Sequence, residues 1–162
     1  MIRLSRLADY AVVVMCQIAV EPERLHTAPE LSCEVRLPAT TVSKVLKLLH
    51  RSGLVTSNRG AQGGYAISRP ATAISVADII SAVDGPIALT DCIEEAPGAC
   101  DLEAICPARR NWQAINDAVR GALAGVSLAD LTAPVFLMPA AANPPELGKT
   151  ALANAGANRD PR

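Results

Sequence analysis

The chain has 162 residues, a mass of 16.9 kDa and 50% hydrophobic residues, which suits one compact soluble domain with an appendage. Aromatic residues make up only 2%, so there is no row of rings on which single-stranded bases could stack, and an RNA or single-strand binder is disfavoured. The net charge of −1 hides a segregation: residues 1–70 carry nine Lys/Arg against five Asp/Glu, and residues 71–162 carry six against eleven.

The first twenty residues are largely apolar, but Asp9, Tyr10 and Gln17 interrupt the run and no small-residue cleavage site follows. They read as a buried helix of a cytoplasmic protein, with no membrane segment. Its predicted N-cap is Ser5, its apolar positions Leu7, Ala11, Val14, Met15 and Ile18 recur at helical spacing, and Pro22 ends it. Thr27 with Glu30 three residues later predicts a short capped helix over 27–35. After the break at Arg36-Leu37-Pro38, Val42, Val45, Leu46 and Leu49 predict a third helix from about Ala39 to Ser52, stopped by Gly53. Two short helices joined by a tight turn form a helix-turn-helix unit.

Leu54-Val55-Thr56 and Tyr65-Ala66-Ile67 are β-prone and flank a turn holding Arg59 and three glycines, Gly60, Gly63 and Gly64. This is a two-stranded wing. Between Glu34 and Asp78 there is no acidic residue, but there are Arg36, Lys44, Lys47, Arg51, Arg59 and Arg69. A charge run alone is most often solvated surface. On a winged helix, an acid-free basic interval is what a phosphate-facing surface requires. Thr40, Thr41, Ser43 and Lys44 are placed at base edges and phosphates of a double-stranded operator, with Lys47 on phosphate or in solvent. Arg59 and the wing glycines Gly60, Gly63 and Gly64 approach the groove or backbone. A winged helix that binds protein in place of DNA is the alternative.

Residues 72–86 predict a further helix with Ile74, Ala77, Ile80 and Val83 on one face and Gly85-Pro86 as its stop. Residues 87–108 lack apolar periodicity and hold Cys92, Cys100 and Cys106, with Glu94, Glu95, Asp101 and Glu103 among them. From Arg109 onward Trp112, Ile115, Val119, Leu123 and Val126 form an apolar stripe, and a partner helix in a homodimer would cover it. The expected fold is therefore mainly α with a small β wing: a winged helix-turn-helix over 1–86, a cysteine loop over 87–108, a long dimerisation helix over 109–130, and a disordered tail over 131–162.

Five cysteines, an odd number in a chain without an export signal, argue against a disulfide framework and leave metal or redox chemistry open. The spacing Cys92-x7-Cys100-x5-Cys106 lacks the tight pairs of structural zinc and leans toward an iron–sulfur cluster, 2Fe–2S or 4Fe–4S. Three unconnected thiols or a redox pair are the bland alternative. Cys16 and Cys33 lie in predicted helices and read as small core residues. His26 and His50 are isolated and no nucleophile–base arrangement is readable, so the chain is not expected to be an enzyme or to take a small-molecule substrate.

The runs 1–15, 42–68 and 74–86, followed by the three-cysteine loop, resemble the Rrf2 family of winged-helix regulators across about residues 1–130. Within it, 86-PIALTDC-92 and 106-CPARRNWQAIN-116 look most like the branch that regulates SUF-type iron–sulfur cluster assembly. The resemblance implies a homodimeric transcription regulator, expected to be a repressor, with a cluster held by Cys92, Cys100 and Cys106 near the dimer interface. One branch carries a histidine three residues after the last cysteine, where this chain has Arg109. In the nitric-oxide-sensing branch an aspartate of the partner subunit completes the site, and Asp9 stands at the matching position. An Asp in an apolar helix is also costly to leave unpaired, which independently calls for a partner. Glu94, Glu95, Asp101, Glu103 or an external thiol compete for the role. A nitric-oxide or redox-responsive regulator, a zinc-stabilised winged helix and an iron–sulfur electron carrier are the remaining readings.

Overall fold

Residues 3–60, 63–90, 93 and 105–133 are described in the computed structural model, and local signals account for most of the element boundaries there. Ser5 stands extended ahead of α1 (Arg6–Val20), and its hydroxyl accepts the Ala8 N–H at 3.0 Å. That bond satisfies one of the orphan donors of the first turn. Ala8, Ala11, Val14, Met15 and Ile18 form one buried stripe of this helix. In α2 (Ala28–Val35) the Thr27 hydroxyl accepts the Glu30 N–H while the Glu30 carboxylate accepts the Thr27 N–H at 2.9 Å, a complete capping box.

The turn that follows is locked from several sides. The N–H groups of Arg36 and Leu37 both donate to the Ser32 carbonyl, and the Ser32 hydroxyl donates to the Leu37 carbonyl at 2.6 Å. Pro38 keeps Leu37 out of the helical region, and Leu37 packs against the core that contains Leu31. Arg36 closes this C-terminal motif in the left-handed region, at φ 53 and ψ 38. It is the single non-glycine residue with positive φ among the described residues. A side chain there costs about 1–2 kcal/mol that glycine would not incur.

The next helix, α3 (Ala39–Arg51), buries Val42, Val45, Leu46 and Leu49 against α1 and α2. The chain turns at Gly53, and β1 (Val55–Asn58) pairs antiparallel with β2 (Gly64–Ile67), Val55 opposite Ile67 and Asn58 opposite Gly64. These strands lie within a residue or two of the expected ones. A short 3-10 turn, Ala71–Ala73, leads to α4 (Val76–Asp84). This helix starts later than the expected residue 72, because Ser75 and Asp78 form a capping box and Ile74 stays extended outside it. Ile74 is fully buried all the same.

The expected continuous helix over 109–130 is two helices. After α5 (Arg109–Ala124) the chain turns at Gly125, and Ser127 with Asp130 builds a third capping box that starts α6 (Leu128–Thr132). Gly and a fresh N-cap together stop one helix and open another. The short helix returns to the winged helix: Val76 N–H donates to the Val126 carbonyl at 2.9 Å and Leu128 N–H to the Ile74 carbonyl at 2.8 Å. Leu128 is fully buried in the same cluster as Met15, Leu46, Leu49, Ile74 and Ile79. No helix among the described residues is long and apolar enough to cross a membrane.

The three boxes make stability acid-sensitive. The Thr27 N–H holds the Glu30 carboxyl below its ordinary 4.5, the Ser75 N–H holds Asp78 below 3.8, and the Ser127 hydroxyl does the same for Asp130. A carboxylate with a depressed folded-state pKa contributes stability above its unfolded value and loses it as pH falls through the folded one. Thermal unfolding followed from pH 7 downward is therefore expected to show a flat midpoint until about pH 4.5 and a fall below it. In Asp78→Asn the acid-dependent part of the fall shrinks; an unchanged acid limb would remove Asp78 from this account.

Candidate functional site

Helix α3 is two-faced. Its apolar side is in the core, while Thr40, Lys44, Lys47 and Arg51 are exposed and Thr41 and Ser43 half-buried. Ala39, Thr40, Ser43, Lys44 and Lys47 line one shallow open depression. Of the expected reading residues, Thr40, Ser43 and Lys44 thus share a solvent-facing surface, half-buried Thr41 is not part of that depression, and the first turn carries no acidic residue. The C-terminal end of α3 is tied to the wing through His50, whose Nδ1 lies 3.1 Å from the Val55 carbonyl and Nε2 3.4 Å from the Ser57 hydroxyl.

At the wing, Arg59 and Gly60 are exposed at the end of β1. Gly63 is half-buried, and a Cβ there would collide with the Asn58 carbonyl, so the return of the chain requires glycine. Gly64, expected at the DNA surface, is instead buried: a Cβ would lie 2.9 Å from the His26 carbonyl oxygen. His26 and Tyr65 exchange backbone hydrogen bonds of 2.9 and 2.8 Å, and the glycine permits that close approach. Arg69 is also removed from the free basic set, because it pairs with Asp78 at 3.0 Å.

Of the expected cluster ligands, Cys92 and Cys100 lie outside the described residues, as do Glu94, Glu95, Asp101 and Glu103. Cys106 is a free, half-buried thiol just ahead of α5, in an open groove with Arg109, Arg110 and Gln113. Asp9 is exposed on α1 and makes no ion pair with a described residue, Arg6 included. Its carboxylate is therefore open to solvent in the single chain, which removes the cost of leaving it unpaired there. No three His, Cys, Asp or Glu side chains among the described residues come together as a metal site. Cys16 packs against the core, and burial pushes its thiol pKa up. Cys33, expected in the core, is exposed on α2.

Helix α5 buries little of itself: Trp112 is 39% and Ile115 45% exposed, and Val119 and Leu123 are half-buried. Its one buried residue is polar. Asn116, 4% exposed, donates from Nδ2 to the Ile87 carbonyl at 3.0 Å and accepts the Leu89 N–H on Oδ1 at 3.1 Å. Both ends of one amide thereby hold the chain leaving α4, three residues before Cys92 in sequence, against the helix that follows Cys106. Composition and spacing give no sign of this, because an Asn between Ile115 and Asp117 looks like any solvated helix position. Asn116→Ala leaves an amide and a carbonyl without partners and is expected to destabilise by about 2 kcal/mol in urea titration. Gln113→Ala, one turn away on the exposed side, is the near-neutral control; equal effects would show that the Asn116 bonds contribute nothing.

Residues 4–134 match the family model for Rrf2, described as an iron-dependent transcriptional regulator. The protein Rv1287 of Mycobacterium tuberculosis, named as an HTH-type transcriptional regulator, is 33% identical over 133 residues, covering 80% of each chain. The HTH-type transcriptional regulator IscR of Escherichia coli is 29% identical over 130 residues, 80% of this chain and 79% of that one. Among solved structures, CymR of B. subtilis, the global cysteine regulator, superposes with a TM-score of 0.65 at 29% identity, over 82% of this chain and 97% of that one. IscR of T. potens, at 24% identity and a TM-score of 0.60 over 80% of this chain and 85% of that one, shares the fold.

Proposed function

The chain belongs to the Rrf2 family of HTH transcriptional regulators, and from that premise we propose that it is a cytoplasmic, homodimeric repressor of SUF-type iron–sulfur assembly genes whose operator affinity follows an iron–sulfur cluster. One observation carries the DNA-facing part: α3 presents Thr40, Ser43, Lys44 and Lys47 on one open surface within an acid-free interval. Lys44, Lys47 and Arg59 neutralise phosphates, and Thr40, Thr41 and Ser43 reach base edges in the major groove. At the wing Gly60 and Gly63 accompany Arg59, and Gly64 is reassigned to packing. The exposed Trp112 and Ile115 of α5 support a second copy as its cover.

The donor chemistry fits a thiolate-held cluster. Cys106 is a free thiol at the mouth of α5, and Cys92 and Cys100 precede it at spacings a loop can wrap around a cluster. Asp9, exposed on α1, is a carboxylate that a partner subunit's cluster could take as its fourth ligand. A bound cluster supplies a redox-sensitive, labile crosslink between these side chains. What this chain contributes is the coupling: Asn116 ties the approach to Cys92 onto α5, and α6 ties the far end of the same chain segment into the winged helix. Loading of the cysteine loop then biases the pose of α3, and affinity shifts only by the difference between poses.

The test is duplex binding by anaerobically prepared protein, with its cluster and after chelation, to the DNA upstream of SUF-type genes. The expected result is a change in affinity on cluster removal and a marked loss in Arg59→Ala without loss of the chromophore. Equal affinity in both states would overturn the sensor reading, and salt-independent or absent binding would overturn the DNA reading.

A further inference from the structure

We propose that Arg36, in the turn between α2 and the reading helix, is a phosphate-binding residue of the DNA interface; the proposal rests on the DNA-facing reading of α3. Its backbone sits at φ 53 in a conformation that glycine adopts without strain and asparagine tolerates. The turn itself does not need arginine. Ser32, Leu37 and Pro38 fix its geometry through backbone and hydroxyl bonds that do not involve the side chain at position 36.

The side chain does nothing for the fold that the structure shows. It is exposed, and the ion pairs among the described residues are those of Arg24 with Glu21 and Glu30 and of Arg69 with Asp78. A cation at a helix C-terminus gains something from the α2 dipole, but that gain is weak and screened when the group is in water. The location is more telling. Arg36 lies two residues after the last acid before Asp78 and three before α3, at the turn that leads into the face carrying Thr40 and Lys44. A guanidinium offers a planar fork that matches two phosphate oxygens. Strain retained at an exposed cation without a carboxylate partner among the described residues is accounted for by a partner outside the chain.

The experiment compares the full chain with Arg36→Asn, Arg36→Gly and Arg36→Lys, measuring affinity for a mixed-sequence duplex of about 30 base pairs across a salt series. One phosphate contact contributes about 0.9 to the slope of log K against log salt, so Asn and Gly are expected to lower that slope by about 0.9 per protomer and to weaken binding about eightfold per protomer at about 0.1 M salt. Lys keeps most of the slope. Gly is also expected to raise the melting midpoint by a few degrees, a gain in stability together with a loss in affinity that a merely structural role does not produce. Unchanged slope and affinity in Asn and Gly, with the wild type binding normally, would overturn the role of Arg36 alone. A wild-type chain without salt-dependent duplex binding would overturn this proposal together with the DNA-facing reading.

Discussion

Replacing Cys92, Cys100 and Cys106 with alanine is expected to abolish visible absorbance in anaerobically prepared protein, and with it the bound iron and sulfide. Thiolates are the soft ligands that hold such clusters, and losing all three removes every thiolate of the loop that would hold one. The effect is all or none. Cys106 lies outside the buried core, so Cys106→Ala by itself is expected to change the melting of the winged helix little. Asp9→Ala separates two readings of the fourth position: a cluster that assembles and then decays faster supports ligation by Asp9. An indistinguishable decay rate passes the role to Glu94, Glu95, Asp101, Glu103 or an external thiol. Absorbance retained in the triple variant would overturn the cluster assignment itself.

The second large effect concerns the fold. Leu128→Ala is expected to destabilise by about 2–5 kcal/mol, the range for emptying a buried leucine site. Leu128 is fully buried among Met15, Ile74 and Ile79 and its N–H bonds to the Ile74 carbonyl. Had residues 109–130 formed one helix projecting from the domain, the same substitution would act on association between chains and leave each chain's unfolding unaffected. Urea titration at two protein concentrations distinguishes these. A concentration-independent loss places Leu128 in the chain's own core, and a loss that vanishes on dilution would return it to an interface.

The helix-turn-helix was legible because its signals are local. Ser5, the Thr27 and Glu30 box, Pro38 and the buried positions Val42, Val45, Leu46 and Leu49 act within four residues of one another, which is the range that helix caps and periodicity report. The wing was legible for the same reason, through β-prone segments flanking a glycine turn. Errors fell where one residue answers two demands. Gly64 looked like part of a flexible tip, yet its lack of a side chain serves the approach of His26, 38 residues earlier. Arg69 looked like a free cation, yet Asp78 neutralises it. Cys33 sat in an apolar-looking helix but on its exposed side, since eight residues give too few apolar positions to orient the face.

The cysteine trio is different in kind. Its chemistry follows from residue type, so spacing and softness alone carry the metal reading, and Cys106 is the member that the described residues place.

By itself, then, the sequence determined the first two capped helices, the wing, the acid-free interval and the presence of three soft donors in one loop, all of which rest on residue chemistry or on short-range backbone bonding. Only the tertiary structure decided that Asn116 grips Ile87 and Leu89, that α6 rejoins the core through Leu128, and that Arg36 bears a left-handed backbone without a described carboxylate to pair it. These depend on groups distant in the chain meeting in space, or on a turn's dihedral set by its neighbours. No pattern along the sequence encodes which buried donor will find which acceptor, because that pairing is fixed only when the core closes.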